Sequence, residues 1–343
     1  RPCLLDSPSA YVNENGIPVQ RIGYKPGGCW INQKLRRYDV PVDKLLESKD
    51  PDYIFIHGLQ FLDILKVIKY KKINPKTKIF VDNHADFSNS ARTFLSQRVL
   101  HGIVWKYCAK RVEPYVEKFF GVLPARCDFL HDVYNLPAEK IDLLVMGADD
   151  EYVDFGRKTE ISAHIRKKHN VADDDFVIVS GGKLDKWKNI PLLLEGFSEV
   201  KKPKFKLLIF GNCTPDMKAE IESLASKDNR VQLVGWIDSK EAYHYFLAAD
   251  LIVFPGRHSV LWEQAVACGV PSIFKSWQGT QHVDIGGNCR FLYKDSAEEI
   301  RELLERILTD RNFYLKMQTA ATSQKREDFL YSKIARKSLL LDR

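Results

Sequence analysis

The sequence lacks the features that mark membrane-spanning, secreted and disulfide-stabilised chains. No apolar run approaches the roughly 18–20 residues that a helix needs to cross a bilayer, and no charged-then-apolar leader is visible at its start. The seven cysteines are an odd number without close pairing, which argues against a disulfide framework. These absences favour a cytoplasmic protein.

The net charge and the chain length further limit the possible ligands and the number of domains. The 52 Lys and Arg residues exceed the 45 Asp and Glu residues by a net charge of +7, which suits phosphorylated ligands or an anionic membrane surface. This excess is not the concentrated basic stripe of a nucleic-acid binder, so no nucleic-acid partner is expected. At 343 residues the chain has about the length of two domains.

Short apolar segments alternate with amphipathic ones along the chain, which is typical of a mostly parallel sheet covered by helices. Each apolar segment ends in small or polar residues, where open α/β sheets place their ligands. The predicted strands cover residues 53–56, 78–81, 119–123, 141–146, 176–179, 206–210, 231–234, 251–254 and 271–274. The pattern predicts an α/β protein made of two Rossmann-like domains.

The predicted domain limits follow from this alternation and from a polar stretch between its two halves. Residues 1–155 are expected to form an N-terminal domain that lacks its first strand-helix unit. Residues 156–322 are expected to form a C-terminal domain, and residues 323–343 a helix that packs back toward the N-terminal domain.

A glycine turn and two lysines follow the predicted strand 176–179. Gly182 would let backbone N–H groups approach an anion, and the ammonium groups of Lys183 and Lys188 can neutralise a diphosphate. A solvated, lysine-rich loop explains the same spacing equally well. Both interpretations stay open at this point.

A second loop and a helix start follow the predicted strand 251–254. A helix that begins close to Ser259 would offer free N–H groups at Ser259, Val260 and Leu261 to an anion. Glu263 lies about one turn further on, in an apolar segment where a carboxylate needs a partner, and a ribose diol offers two donors. The alternative is a glutamate favoured at this position by the helix dipole.

The two clusters together resemble the sugar-donor domain of the family-four retaining glycosyltransferases, whose fold is called GT-B. In that family Gly-Arg-Leu follows a strand and a lysine comes five residues after the arginine. Lys183 takes the arginine position here and Lys188 the lysine position. Residues 263–271 are similar to the family segment Glu-Ala-Met-Ala-x-Gly-x-Pro, so the resemblance implies that Glu263 binds the ribose.

One departure from the family concerns a second glutamate. It usually lies eight residues before Glu263, and that position is Pro255 in a shorter loop. We expect either that His258 has taken over its role toward the donor sugar or that His258 only caps the helix.

In the first half, Asp82-Asn83-His84 stands at a strand end where members of the family often carry a histidine facing the donor sugar. The resemblance implies that His84 hydrogen-bonds a sugar hydroxyl or assists proton movement. A lone loop histidine is more often structural, and we expect that role for His57.

The resemblance implies two facing GT-B domains that transfer a sugar with retention of configuration. The donor is expected to be a nucleotide-diphosphate sugar, uridine-linked, and the acceptor a glycan or a lipid-linked molecule in polysaccharide or glycoconjugate assembly. Lys183, Lys188 and the helix start would stabilise the leaving diphosphate, so that no cofactor or obligatory metal is needed. Two alternatives remain, a nucleotide-sugar epimerase or hydrolase of the same fold and a non-catalytic nucleotide-sugar-binding subunit.

The stretch from Gln97 to Lys118 mixes apolar and basic residues in a predicted helix interrupted near Pro114. Such a helix can lie on an anionic membrane, which would place the protein peripherally at the inner face. It can also pack on its own sheet with its basic face in water. The sequence leaves both possibilities open.

Overall fold

The computed structural model describes residues 10–27 and 29–341, and the chain divides into two compact units, Arg1–Leu144 and Val145–Arg343. Each unit contains a sheet of parallel strands covered by helices. The predicted α/β class is therefore confirmed. The domain limits at residues 155 and 322, and the return of residues 323–343 toward the N-terminal domain, stay predictions.

The first unit contains a short antiparallel hairpin and a parallel sheet of order β3-β4-β5-β6. Its strands are β1 (Ala10–Val12), β2 (Pro18–Gln20), β3 (Tyr53–Ile56), β4 (Lys78–Asn83), β5 (Lys118–Gly121) and β6 (Ile141–Leu143). Its α-helices are α1 (Cys29–Lys34), α2 (Val42–Lys49), α3 (Ile64–Ile73), α4 (Lys106–Val112) and α5 (Pro124–Asp132), with a π-helix at Ser96–Trp105 and 3-10 turns at Glu113–Tyr115 and Ala138–Lys140.

The central strands β4 and β5 are buried, which explains their continuous apolar runs. The helix predicted over this region runs from Ser96 through α4 and gives way to the 3-10 turn that contains Pro114. Proline ends a helix because it has no N–H to donate.

The second unit contains six parallel strands in the order β12-β11-β10-β7-β8-β9. Its strands are β7 (Phe176–Gly181), β8 (Phe205–Phe210), β9 (Val231–Gly235), β10 (Leu251–Phe254), β11 (Ser272–Lys275) and β12 (Cys289–Leu292). Its α-helices are α6 (Lys158–Lys168), α7 (Ile190–Glu199), α8 (Pro215–Ala225), α9 (Glu241–Ala248), α10 (Leu261–Ala267), α11 (Ala297–Thr309), α12 (Arg311–Ala321) and α13 (Tyr331–Ser338), with 3-10 turns at Lys186–Lys188, Gln281–Val283 and Gln324–Phe329.

The strand order of the second unit reverses between β7 and β10. From β7 the chain moves outward through β8 and β9, then returns to place β10 beside β7 and continues in the opposite direction. Ligands of open α/β sheets bind outside the carboxyl ends of the strands at such a reversal. The loops after β7 and β10 therefore occupy the position where a ligand is expected.

Two findings bear on the classes that the sequence argued against. Among residues 10–27 and 29–341, no helix is long and apolar enough to cross a membrane. Five cysteines, Cys108, Cys127, Cys213, Cys268 and Cys289, are free thiols.

Candidate functional site

The loops after β7 and β10 pack against each other backbone to backbone. The N–H of Arg257 donates to the carbonyl oxygen of Trp187 at 2.7 Å. A Cβ atom on Gly256 would lie 2.3 Å from that same oxygen, so only glycine allows this approach. The two lysine- and histidine-bearing loops thus form one surface of the second unit.

Lys188 connects the two loops through its ammonium group. Its Nζ donates to the carbonyl oxygen of Arg257 at 2.9 Å and to the hydroxyl oxygen of Ser259 at 3.0 Å. Burial lowers the pKa of Lys188 to about 8, while Asp185 raises it and Arg257 lowers it further. A desolvated ammonium without a carboxylate bonded to it gains strongly from a bound anion.

Gly182 lies in contact range of both loops. Its φ of +112° favours glycine, and a Cβ atom built there would lie 3.0 Å from Leu261 Cδ1 and 3.9 Å from Lys188 Cε. The structure therefore brings together Gly182, Lys188, Ser259 and Leu261 from the predicted site. Lys183, on the same loop as Gly182, is exposed.

The helix start after β10 differs slightly from the prediction. α10 begins at Leu261, whereas the sequence predicted a start close to Ser259. Ser259 and Val260 precede the helix, and their carbonyl oxygens accept from the N–H groups of Trp262 and Gln264. The Ser259 side chain bonds Lys188 and does not cap the helix.

Glu263 is completely buried and is held by two histidines. The Nε2 atoms of His258 and His282 each lie 2.9 Å from Glu263 Oε1. An ionised carboxylate only accepts, so both Nε2 atoms donate. Burial alone would raise the pKa of Glu263, but the two histidines outweigh it and lower the pKa to about 2.

This arrangement shows that His258 contacts Glu263, and it adds His282 to the candidate site. α10 has no side-chain cap, and His258 bonds the carboxylate of Glu263. His282 stands in the Gln281–Val283 turn after β11. Its position, nineteen residues beyond Glu263, gives no local sequence signal for the pairing.

Several buried polar atoms around α10 have no hydrogen-bond partner among the described residues. They are Glu263 Oε2, His282 Nδ1, Trp262 Nε1 and Gln264 Oε1. Buried polar groups are nearly always satisfied, so such a group calls for a partner such as water or a ligand.

The length of the segment 263–271 makes a second residue a candidate for the ribose-binding position. Counted back from Gly269 and Pro271, the glutamate of the family pattern falls on Gln264, because residues 263–271 exceed that pattern by one residue. Gln264 is buried like Glu263 but retains slight exposure.

A second histidine cluster lies at the carboxyl ends of β3 and β4 in the first unit. These strands are paired and parallel, so His57 and His84 emerge at the same edge. His57 Nδ1 lies 2.7 Å and His84 Nε2 lies 3.2 Å from Asp82 Oδ2, and the two rings have centroids 4.4 Å apart. The N–H of Gly58 donates to Asp82 Oδ1 at 2.7 Å and fixes the carboxylate.

The role of Asp82 went unrecognised in the sequence, and His57 was expected to be only structural. The predicted strand ended at residue 81, but β4 continues to Asn83, so Asp82 is a buried strand residue with its side chain at the histidines. A carboxylate that holds an imidazole in one orientation is a recurring device for proton transfer.

Both histidine clusters contain side-chain atoms that could act as ligands of a metal ion. In each, two imidazole nitrogens and one carboxylate oxygen lie within 4.8 Å of one another: His57, Asp82 and His84, and His258, Glu263 and His282. Such atoms are common ligands of zinc and related ions.

Comparison with solved structures defines the fold class. The chain resembles the Anabaena protein HepE, solved in complex with UDP and glucose, with 14% identity, a TM-score of 0.66, and 95% of this chain and 86% of that one covered. It resembles a glycosyltransferase from Rickettsia africae with 15% identity, a TM-score of 0.70, and 94% and 83% covered. Its architecture is that of the GT-B glycosyltransferases.

The second unit contains a match to a sequence family. Residues 162–324 match the sequence model of the glycosyl transferases group 1 family. An uncharacterized glycosyltransferase of Methanocaldococcus jannaschii is 22% identical over 217 residues, which cover 60% of this chain and 55% of that protein. The chain thus spans about half the length of the curated relative that it matches.

Proposed function

We propose that the protein transfers a sugar from a nucleotide-diphosphate donor to an acceptor hydroxyl, and that the second unit binds the donor. The observation that carries the proposal is the position of Lys188. Its partly desolvated ammonium joins the two loops at the strand-order reversal, where the ligands of open α/β sheets bind.

The diphosphate role falls to the residues around this ammonium. Lys188 and the exposed Lys183 supply positive charge, and Gly182 leaves backbone room beside them. The N–H groups near Ser259, Val260 and Leu261 add dipoles that favour an anion. These groups stabilise the charge that develops on the leaving diphosphate.

The ribose role is proposed for Glu263, with Gln264 as the alternative. Glu263 Oε2 has no partner among the described residues, so a ribose hydroxyl can donate to it. Because that oxygen is inaccessible, binding requires His258 or the Gln281–Val283 turn to move. Gln264 needs a smaller movement, since its side chain retains slight exposure.

The catalytic role in the first unit is proposed for His84. Asp82 orients its imidazole, and the His84 side chain is 36% exposed, so the ring can meet a substrate hydroxyl. The HepE structure holds UDP and glucose, which supports a uridine-linked donor for this chain. Retention of configuration, a glycan or lipid-linked acceptor, and transfer without an obligatory metal are parts of the same proposal.

The test begins with binding. A thermal-shift screen with UDP, ADP, GDP and their sugar conjugates should show a raised unfolding temperature with UDP and its conjugates, since a ligand of the folded state stabilises it. No response to any nucleoside diphosphate would contradict the donor site.

Turnover separates transfer from its alternatives. Release of UDP from the stabilising UDP-sugar should rise when a panel of glycan and lipid-linked acceptors is added. Turnover that never depends on an acceptor would favour an epimerase or hydrolase, and binding without turnover would favour a non-catalytic subunit. Lys186→Ala, a change of an exposed lysine on the same loop, serves as the control for Lys188→Ala.

A further inference from the structure

The long helix of the first unit has two apolar faces. It is formed by the π-helical stretch Ser96–Trp105 and by α4. The inner face packs in the core of the unit through Trp105, Cys108, Ala109 and Val112, all of them buried. The helix therefore does pack against the core of its own unit, but only one side of it is used for this packing.

The outer face carries a stripe of exposed apolar side chains. We call the following five residues the outer stripe: Phe94, Leu95, Val99, Ile103 and Tyr107. Four of them are spaced four residues apart, which places them on one face of a helix. The side chain of Phe94 is 76% exposed and that of Ile103 is 63% exposed.

Exposed apolar residues concentrated in this way mark a surface that meets another apolar phase. Single exposed apolar residues are ordinary on soluble proteins. Four on one helix face, with Phe94 beside them, are a larger patch, and all five are exposed. The charges beside the outer stripe indicate whether this surface is a lipid membrane or a protein.

The stripe lies in a strongly basic, acid-free segment. Residues 87–112 contain no Asp or Glu and five cations: Arg92, Arg98, Lys106, Lys110 and Arg111. The Arg98 guanidinium carbon lies 6.0 Å from the centroid of the Phe94 ring, so cation and aromatic ring share one side of the helix. Lys110 already pairs with Glu113 inside the unit. An apolar stripe bordered by the other four cations suits the head-group boundary of an anionic membrane, whereas a purely apolar protein groove would give these four cations no partner.

We propose that the outer stripe docks the first unit on an anionic lipid surface. Phe94, Leu95 and Ile103 enter the boundary between head groups and acyl chains, and the neighbouring cations contact lipid phosphates. This inference goes beyond the proposed transfer, because docking requires neither donor nor acceptor.

The experiment is co-flotation of the full chain with lipid vesicles. Vesicles of phosphatidylcholine with added phosphatidylglycerol should carry the protein, and vesicles of phosphatidylcholine alone should not. Raising the salt concentration should weaken the association, because surface charges are screened.

Two double variants test the two parts of the surface. Leu95→Ser with Ile103→Ser should lower the fraction bound to anionic vesicles at least about tenfold, because two large apolar side chains no longer enter the lipid. Arg92→Gln with Arg98→Gln should lower it on the order of tenfold at low salt, because each cation near the surface adds to the attraction.

Matched controls lie elsewhere on the first unit. Ile73 is 61% exposed, and Ile73→Ser should leave flotation unchanged. Lys49→Gln with Lys76→Gln removes two exposed cations away from the stripe and should change flotation less than the arginine pair does. A circular-dichroism spectrum and an unfolding temperature unchanged from those of the unmodified protein would show that each variant is folded.

Three outcomes would overturn the proposal. The first is no flotation with anionic vesicles, and the second is equal flotation of the Leu95→Ser, Ile103→Ser variant. The third is a lipid-free dimer, seen by sedimentation, that this variant dissolves, since the stripe would then be the contact with a second copy of the chain.

Discussion

Two histidine–carboxylate–histidine clusters with the same composition lie in opposite environments. In the second unit Glu263 is completely buried between His258 and His282, whose side chains are 9% and 3% exposed. In the first unit Asp82 is also buried, but the side chain of His57 is 75% exposed and that of His84 is partly exposed. The two clusters therefore have the same chemical groups but different access to solvent.

The difference in exposure indicates that the buried cluster holds loops in place and that the exposed cluster can react with a substrate. A carboxylate enclosed by two histidines fixes the loops after β10 and β11 to α10, because one histidine reaches it from each of these loops. An exposed imidazole on a fixed carboxylate keeps one ring nitrogen available for a substrate. We therefore propose donor binding without a part in the chemistry for the second unit's cluster and a chemical role for the first unit's cluster.

The largest expected effect is on stability. Glu263→Ala should lower the free energy of unfolding of the second unit by about 3–5 kcal/mol, because two buried histidine N–H groups lose their acceptor. Asp82→Ala should cost about 1–3 kcal/mol in the first unit, because the exposed histidines regain water and mainly the Gly58 N–H loses its partner. Urea denaturation measures both, and equal losses would remove the distinction.

The catalytic half of the comparison is tested at the histidines. His84→Ala should lower kcat on the order of a hundredfold, as expected for loss of a group that transfers a proton, with KM for the donor little changed. His57→Ala should have a smaller effect, because the proposed substrate contact belongs to His84. Steady-state kinetics with the identified donor give both values, and a dominant role of His57 would reverse the assignment.

The sequence revealed the strand ends but not which of them are neighbours. Lys188 and Ser259 were both predicted as anion-binding residues from their own loops. Their contact depends on β10 returning beside β7, which no local pattern encodes. The same limit hid the pairing of His282 with Glu263, since the two residues follow different strands.

The strand ends themselves were predicted well where apolar runs stop sharply, and less well where a polar residue continues a strand. Asp82 and Asn83 ended the predicted strand because they are polar. The structure keeps them in β4 because Gly58 N–H and the carbonyl oxygen of Ala85 satisfy their side chains. Polar partners supplied by tertiary structure thus extend strands beyond their sequence pattern.

A pH titration sharpens the account of Lys188. Its pKa of about 8 in the free protein lies below the ordinary value, so the ammonium loses its charge as the pH rises through 8. UDP affinity should therefore be highest below pH 8 and fall up to about tenfold per pH unit above it. Lys188→Arg should remove this fall, because arginine stays charged. An identical pH profile in the two proteins would contradict the assignment.

The smallest expected effect concerns metal removal. Both clusters have the donor atoms for an ion, yet the proposed transfer relies on Lys183 and Lys188 for charge stabilisation. Treatment with EDTA should therefore change the rate of product formation less than about twofold. Loss of activity that one divalent ion restores would assign the ion to one of the clusters, and Asp82→Asn and Glu263→Gln would distinguish them.

UDP binding to three proteins tests the central claim most directly. Isothermal titration should show that Lys188→Ala weakens UDP on the order of a hundredfold, because truncating one partner of a desolvated charge pair costs several kcal/mol, while His84→Ala stays within about twofold of the unmodified protein. Equal UDP affinity in Lys188→Ala, or a comparable loss in His84→Ala, would contradict the separation of donor binding in the second unit from chemistry in the first.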